Sequence, residues 1–395
     1  MRYGIIVDAD SNPFRYGALA LDDAFTDRET EIAELRADIR NGQDVVVLAP
    51  RRYGKSSLIW RVAQELVRRR VLVASVDLMT TPTVGKLAEK LARAIHEDLA
   101  SRREKALDRL RVFGGLRIKP TVNVDPDTGR LSFGFDAGYA PEDLRATLEH
   151  LLELPGQLGA ERNRRVALIF DEFQEIVDID PALPRMMRAV FQEQPEVAHV
   201  YLGSRRHMMR RLFSDANEPF WRSAKPIELG VIAPDAFAPY IDERFRATGR
   251  RVDPEVVDAL LAMTGGHPYA TQELCYFLWQ LTSNRGTAST PTLDEALAGV
   301  LRSENAHFTT VWDHASAQQR LLLQALAAEP GRALTTDYRR RHELPSTSTV
   351  QSAVTALERQ ELVANDRGEV RIVEPFLAAW IRLRTDEPAA RAPAT

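Results

Sequence analysis

The sequence predicts an α/β fold, with a parallel sheet covered by helices, followed by a helical lid and a C-terminal winged helix. Three observations predict it. The apolar run Val45–Ala49 passes through the tight segment Pro50-Arg51-Arg52-Tyr53-Gly54 into a helix that opens with Lys55-Ser56-Ser57-Leu58. The run Val166-Ala167-Leu168-Ile169-Phe170 ends in the paired carboxylates Asp171-Glu172. Continuous apolar runs mark parallel strands covered on both faces, and the carboxyl ends of such strands are where α/β folds bind ligands. From Pro234 onward, strand patterns give way to helices and end in a helix-turn-helix with a hairpin behind it.

Each element follows in order. Residues 1–30 carry no strong periodicity, but Asn12-Pro13-Phe14 and Phe25-Thr26-Asp27-Arg28-Glu29 precede a helix over about 29–41, for which Thr26 or Asp27 is the expected N-cap. A strand over 45–49, a helix over about 55–70 and a strand over 71–77 come next. A helix over about 83–103 repeats Leu87, Leu91, Ile95 and Leu99 at helical spacing, which is core packing. Two alternating runs, 121–124 and 131–135, flank Asp125-Pro126-Asp127-Thr128-Gly129 and read as a hairpin inserted at 111–137. A helix over about 141–159 leads into the acidic strand, and a helix near 182–194, a strand over 197–204 and the segment Pro226-Ile227-Glu228-Leu229 complete the alternation. Helices over 235–248, 254–264 and 268–282 form the lid, with a sharp break at Gly265-Gly266-His267-Pro268. The stretch Thr282–Pro291, rich in Ser, Thr, Gly and Pro, reads as a linker. A helix ending near Ala328, the basic helix start Tyr338-Arg339-Arg340-Arg341, a second helix from Ser348 to about Gln360, and two short strands around Asp366-Arg367-Gly368 read as a winged helix. The expected plan is a core over 1–232, a lid over 233–283, a winged helix over 292–385 and a disordered tail over 386–395.

Composition narrows the class. At 395 residues and 44% hydrophobic, the chain is globular and long enough for two or three domains. One cysteine, Cys275, rules out an intrachain disulfide and fits a buried thiol in a reducing compartment. The apolar run at the N-terminus is too short for a signal peptide, and no segment approaches the roughly 20 apolar residues that span a bilayer, so a cytoplasmic protein with no membrane partner is expected. The net charge of −4 provides no overall basic field for nucleic acid.

The chemistry sits in the strand-loop-helix and the acidic strand. Gly54 lets the backbone approach a polyphosphate, and the first amides of the following helix point at the anion. Lys55 would reach the β- and γ-phosphates, and the Ser56 hydroxyl would ligate Mg²⁺. The full pattern has a glycine five residues before Gly54, where this chain has Ala49. Asp171 would hold the Mg²⁺ hydration shell and Glu172 would polarise the water that attacks the γ-phosphorus. Alone, Asp171-Glu172 would read as the start of a solvated turn; the phosphate loop upstream favours the catalytic reading. The winged helix presents Ser346, Thr347, Ser348, Thr349, Gln351 and Ser352 at its recognition-helix start, but Arg359 is the only basic residue there and Glu358 and Glu361 flank it. DNA binding is therefore less favoured than packing or a protein contact.

Together these motifs resemble the archaeal-type ATPase family, in the STAND branch of the AAA+ P-loop ATPases. The resemblance is carried by Asn12-Pro13-Phe14, Phe25-Thr26-Asp27-Arg28-Glu29, Pro50-Arg51-Arg52-Tyr53-Gly54-Lys55-Ser56-Ser57-Leu58, Leu168–Phe173, Gly203-Ser204, Thr264-Gly265-Gly266-His267-Pro268 and Glu374–Trp380. It implies an ATP and Mg²⁺ site lined by 50–57. It implies that Phe25 and Arg28 pack on adenine, although Phe25 would equally serve as a staple for the helix after it. It implies that Ser204 is a polar sensor of the γ-phosphate completed by Arg205, and that His267-Pro268 is a lid motif touching nucleotide, a helix break being the plainer account. Arg51 and Arg52 are expected on the exposed face of the loop, sensing phosphate or docking a partner, while Arg206, Arg210 and Arg211 fit a solvated helix face. No arginine finger acting on a neighbouring subunit is evident. The leading expectation is a slow ATPase working as a nucleotide-gated switch for a protein partner, with ADP or ATP between core and lid setting the angle of the winged helix. A DNA-binding, initiator-like protein and a non-hydrolysing scaffold are the alternatives.

Overall fold

The computed structural model describes residues 11–20, 25–99, 116–118, 120–124, 131–135 and 139–386. The first ten residues, the end of the 83–103 helix beyond residue 99, the turn of the hairpin and the tail over 387–395 lie outside the described residues. The chain forms two compact units: one of Arg28–Ala49 and Lys55–Leu229, the other of the N-terminal residues to Asp27, Pro50–Gly54 and the chain from Gly230 onward.

The first unit is built on a sheet. Helix α1 (Glu29–Arg40) precedes β1 (Val45–Leu48), and α2 (Lys55–Arg68) leads to β2 (Leu72–Asp77). Helix α3 (Val84–Ala94), the strands β3 (Thr121–Val124) and β4 (Leu131–Gly134), and the long α4 (Pro141–Glu161) come before β5 (Val166–Asp171). Helix α5 (Leu183–Phe191), β6 (Val197–Gly203), α6 (Arg206–Ser214) and β7 (Lys225–Glu228) complete it. The five strands run in the order β2-β5-β6-β1-β7, and every neighbouring pair is parallel. β1 and β6 are buried along their whole length, which is why they read as unbroken apolar runs. The expected hairpin is present as the antiparallel pair β3–β4. Behind the acidic strand, Phe173 is fully buried among Phe170, Tyr201, Phe213 and Phe220, with ring centroids 4.6–5.9 Å away. This cluster anchors the turn that carries Glu172.

Two expectations need correction here. The cap of α1 is Arg28, in the left-handed region at φ 75°, and no side chain caps the helix; neither Thr26 nor Asp27 does so. Asp27 is itself left-handed, at φ 60°, so the chain enters the helix through two consecutive turn residues rather than through a capping oxygen. The helix expected over 83–103 is α-helical only to Ala94, where it widens into a π turn over Ile95–Leu99. The side-chain spacing of Leu91, Ile95 and Leu99 survives that change, so apolar periodicity did not reveal it.

The second unit is helical. It contains α7 (Pro234–Ala247), β8 (Arg251–Val252), α8 (Pro254–Thr264), α9 (Pro268–Leu281), β9 (Thr287–Ala288) and α10 (Thr290–His314). Helices α11 (Ala317–Ala328), α12 (Thr336–Arg341) and α13 (Thr347–Arg359), the wing strands β10 (Val363–Asp366) and β11 (Glu369–Ile372), and α14 (Pro375–Asp386) follow. One continuous core joins Phe237 and Leu274 to Val300, Leu357 and Trp380. Phe14 belongs to it, packed on Tyr240 and Phe245, while Asn12 donates to the Tyr276 carbonyl and accepts from the Phe14 amide.

The expected flexible linker at 282–291 is ordered. β9 pairs in parallel with β8, Arg251 N donates to Gly286 O at 2.9 Å, and Ser289 begins α10 with a capping box. Its Ser, Thr and Gly content provides turns and caps, not slack.

Candidate nucleotide-binding site

In the sheet unit, strand register lines up the carboxyl ends: Leu48 pairs with Gly203 and Asp77 with Asp171. Lys55, at the first position of α2, is buried, and its Nζ donates to the Ala49 carbonyl at 3.3 Å and lies 3.9 Å from Glu172 Oε1. Ser56 Oγ donates to Asp171 Oδ2 at 3.4 Å. The Glu172 carboxylate accepts from Gln174 Nε2 at 2.5 Å and from Ser204 Oγ at 2.8 Å. Lys55, Ser56, Asp171, Glu172 and Ser204 are thus brought together, five residues expected from three separate segments of the sequence.

Electrostatics divides the two neighbouring carboxylates. Asp171 is pushed above its ordinary range by burial and by the Glu172 charge, against the pull of Lys55. Burial also acts to raise Glu172, but the Lys55 ammonium and the bonds from Gln174 and Ser204 outweigh it and hold Glu172 low. Glu172 therefore stays ionised beside an ammonium, at a left-handed φ of 52° that the buried Phe173 holds in place.

Arg205 lies at the following turn, where its guanidinium is 3.4 Å from Glu175 and touches the Met208 sulfur. Arg28 pairs with Glu31 at 2.9 Å. Arg210 and Arg211 pair with Glu228 and Glu218 on the exposed face expected for them. Two contributors escaped the sequence reading. Asp77 stands beside Asp171 at the end of β2, and Gln174 is almost fully buried against Glu172. At Gly203, beside the sensor serine, a Cβ would lie 2.3 Å from Met209 Cγ and 2.7 Å from Gln174 Oε1. A Gly203→Ala protein is expected to lose about 1–3 kcal/mol of stability and to displace Gln174 from Glu172, read as a lower melting temperature together with slower phosphate release.

The helical unit holds the loop itself. Gly54 has φ 84°, which favours glycine, whereas Ala49 stays out of the left-handed region, so alanine is tolerated at the position where the pattern has glycine. Pro50 and Tyr53 are buried, and Tyr53 packs edge-on against His267 at 4.7 Å. Arg51 and Arg52 project from the exposed side of the loop, as expected; Arg51 pairs with Glu361 at 2.9 Å, and Arg52 pairs with Glu374 at 3.5 Å. His267 Nδ1 accepts from Ala270 N, capping α9 ahead of Pro268; burial first, then the nearby Arg52 and Arg371, push its pKa down to about 3. It is a neutral cap at physiological pH. Ser57 is buried in the first turn of α2, and Phe25 is half-buried.

The fold is mixed α/β, with a five-stranded parallel sheet of the kind found in AAA+ ATPases, and the chain ends in a winged helix. Residues 306–383 match a family model described as a probable winged helix domain. No curated protein matches the sequence. Among solved structures, the chain is similar to the Walker-type ATPase PABY2304 of Pyrococcus abyssi, with a TM-score of 0.65 and 16% identity over 92% of this chain and 97% of the other. It is also similar to the ORC2 protein of Aeropyrum pernix in its ADPNP-ADP complexes, with a TM-score of 0.52 and 14% identity over 91% and 94% of the two chains.

Proposed function

We propose that this chain binds ATP with Mg²⁺, hydrolyses it slowly and acts as a nucleotide-gated switch for a protein partner, in the manner of the STAND branch. The observation that carries the reading is the meeting of Lys55, Ser56, Asp171, Glu172 and Ser204 at the carboxyl ends of parallel strands. The Ser56 hydroxyl and the Asp171 carboxylate, already in contact, are the oxygen donors that Mg²⁺ prefers while keeping most of its waters. When bound, the ion would neutralise and orient the phosphate oxygens.

The chain's own groups do the rest. Lys55 Nζ would leave the Ala49 carbonyl for the β- and γ-phosphates. The ionised Glu172 would accept a hydrogen bond from the attacking water and orient it in line. Ser204 now donates to Glu172; a γ-phosphate that drew this hydroxyl away would couple the presence of the third phosphate to the state of the base. The loop 50–54 would carry that difference into the helical unit, to which its contacts belong. Phe25, Arg28, Arg205 and His267-Pro268 remain proposed nucleotide contacts. No helix among the described residues is long and apolar enough to cross a membrane.

The winged helix favours a second reading, DNA binding, but the three consecutive arginines at its basic helix are already engaged. Arg341 makes two bonds to Glu329, Arg340 pairs with Asp337, and Arg339 donates to the Pro345 carbonyl. Ser346 and Ser352 are likewise satisfied within their own helix turn. Steady-state phosphate release from ATP with Mg²⁺, with and without duplex DNA, tests both readings. Slow release that ignores DNA is the expected result; stimulation by DNA, reversed by salt, would make the winged helix the working surface, and no release would leave a scaffold.

A further inference from the structure

We propose that Arg51 and Arg52 form a latch tying the phosphate-binding loop to the base of the wing, and that the phosphates of ATP compete with Glu361 and Glu374 for them. The inference rests on the nucleotide reading above and adds to it the means by which the loop addresses the winged helix.

The contacts converge on one structural point. Val373 N donates to Leu362 O at 3.0 Å, which closes the base of the β10–β11 hairpin, and Glu361 and Glu374 stand on either side of that closure. Arg51 Nε meets Glu361 Oε2 at 2.9 Å, and an Arg52 guanidinium nitrogen lies 3.5 Å from Glu374 Oε2. The Arg52 guanidinium also lies over the Tyr269 ring, 4.2 Å from its centroid. Two adjacent loop residues therefore grip both strands of the wing at their root.

The grip has the properties of a releasable contact. Arg52 sits at φ 66° and Glu361 at φ 61°, conformations that non-glycine residues adopt at a cost and that the surroundings must hold. Glu374 is satisfied on one side only: its Oε1 is buried with no hydrogen-bond partner, and burial, opposed by Arg52, pushes its pKa up to about 7. Arg51 keeps half of its side-chain surface exposed, open to a competing anion. Guanidinium forks bind carboxylate and phosphate with the same geometry, and a triphosphate offers more charge than one carboxylate. The arginines lie in the loop whose backbone would surround that triphosphate.

The test compares amide hydrogen exchange over 362–376 in full-length protein: wild type, Glu361→Gln/Glu374→Gln, and the charge swap Arg51→Glu/Glu361→Arg. Arg51→Ala/Arg52→Ala breaks the same pairs from the loop side, so a folding failure in one variant leaves another to read. ATP binding to each protein is measured by equilibrium dialysis. Without nucleotide, the glutamine pair is expected to exchange about three- to tenfold faster than wild type, and the swap to restore protection. ATP should give wild type the same faster exchange, and the glutamine pair should bind ATP tighter by a similar factor, because coupling is reciprocal. Unchanged exchange in the nucleotide-free glutamine pair overturns the latch, whatever ATP does. ATP binding that is normal in wild type but leaves exchange slow overturns the competition. Wild type that binds no ATP refutes the nucleotide reading and with it the competition, while the nucleotide-free comparison still decides whether the pairs hold the wing.

Discussion

Replacing Lys55 with alanine is expected to abolish ATP binding, raising Kd by at least about a hundredfold. An ammonium about 4 Å from a phosphate charge in a partly buried setting is worth about 4 kcal/mol at an effective dielectric near 20, and a hundredfold requires about 2.7 kcal/mol of that. Two features of the site bring the effect close to this limit. Lys55 is 7% exposed, so little solvent screens it, and among the described residues no other lysine meets Asp171 or Glu172. The substitution also leaves Glu172 beside Asp171 without its countercharge. The Glu172 carboxyl should then titrate upward, and electrostatic cost moves into the folded state. Calorimetric titration with ATP and Mg²⁺ checks binding, and a melting curve checks that the chain still folds. A Kd within about threefold of wild type in a folded variant would refute the phosphate-loop assignment.

How much of this was legible in the sequence differs between the two units for physical reasons. Strands covered on both faces must be apolar throughout, so β1, β5 and β6 announced themselves, and their carboxyl ends pointed to Lys55, Ser56, Asp171, Glu172 and Ser204. The wing was legible because Asp366-Arg367-Gly368 demands positive φ, and both Arg367 and Gly368 supply it. What failed depended on contacts distant in sequence or on backbone detail that composition does not encode. Thr282–Pro291 has the composition of a flexible tether, yet its amides and carbonyls are consumed by β8 and by the cap of α10. Arg28 as a left-handed cap has no side-chain signature, since any residue can be forced there by its neighbours. Gln174 belongs to no motif that would mark it; only the short turn after the acidic strand buries it and brings its amide to Glu172. Glu361 and Glu374 are more than 300 positions from their arginines, and only the fold brings them together. The sequence did leave one signal, two adjacent arginines in a phosphate loop where a single cation already serves the phosphates.

Replacing Glu172 with glutamine is expected to keep ATP binding and to slow phosphate release by about a hundredfold to ten-thousandfold, the usual range for removing a positioned acid-base group. The hydrogen bonds around the carboxylate dictate how the amide must sit. Gln174 Nε2 and Ser204 Oγ both donate to the same oxygen, Oε2, so the glutamine will place its carbonyl there and turn its NH₂ to the Oε1 position. That is the side facing Lys55, 3.9 Å away. An NH₂ group cannot accept a proton from water, so the group stays in place but cannot act as the base. Meanwhile the attraction that draws Lys55 toward Glu172 disappears, and ATP should bind equally or slightly tighter, not weaker. The split between binding and turnover is what separates a base from a structural carboxylate. Release at more than about half the wild-type rate would remove Glu172 from the chemistry, and a joint loss of binding and turnover would reduce it to the residue that orients Lys55. Gln174→Leu sharpens the distinction. It removes one of the two side-chain donors to Oε2 while leaving the Glu172 charge in place, so a base held in position by that bond should turn over more slowly at unchanged ATP affinity.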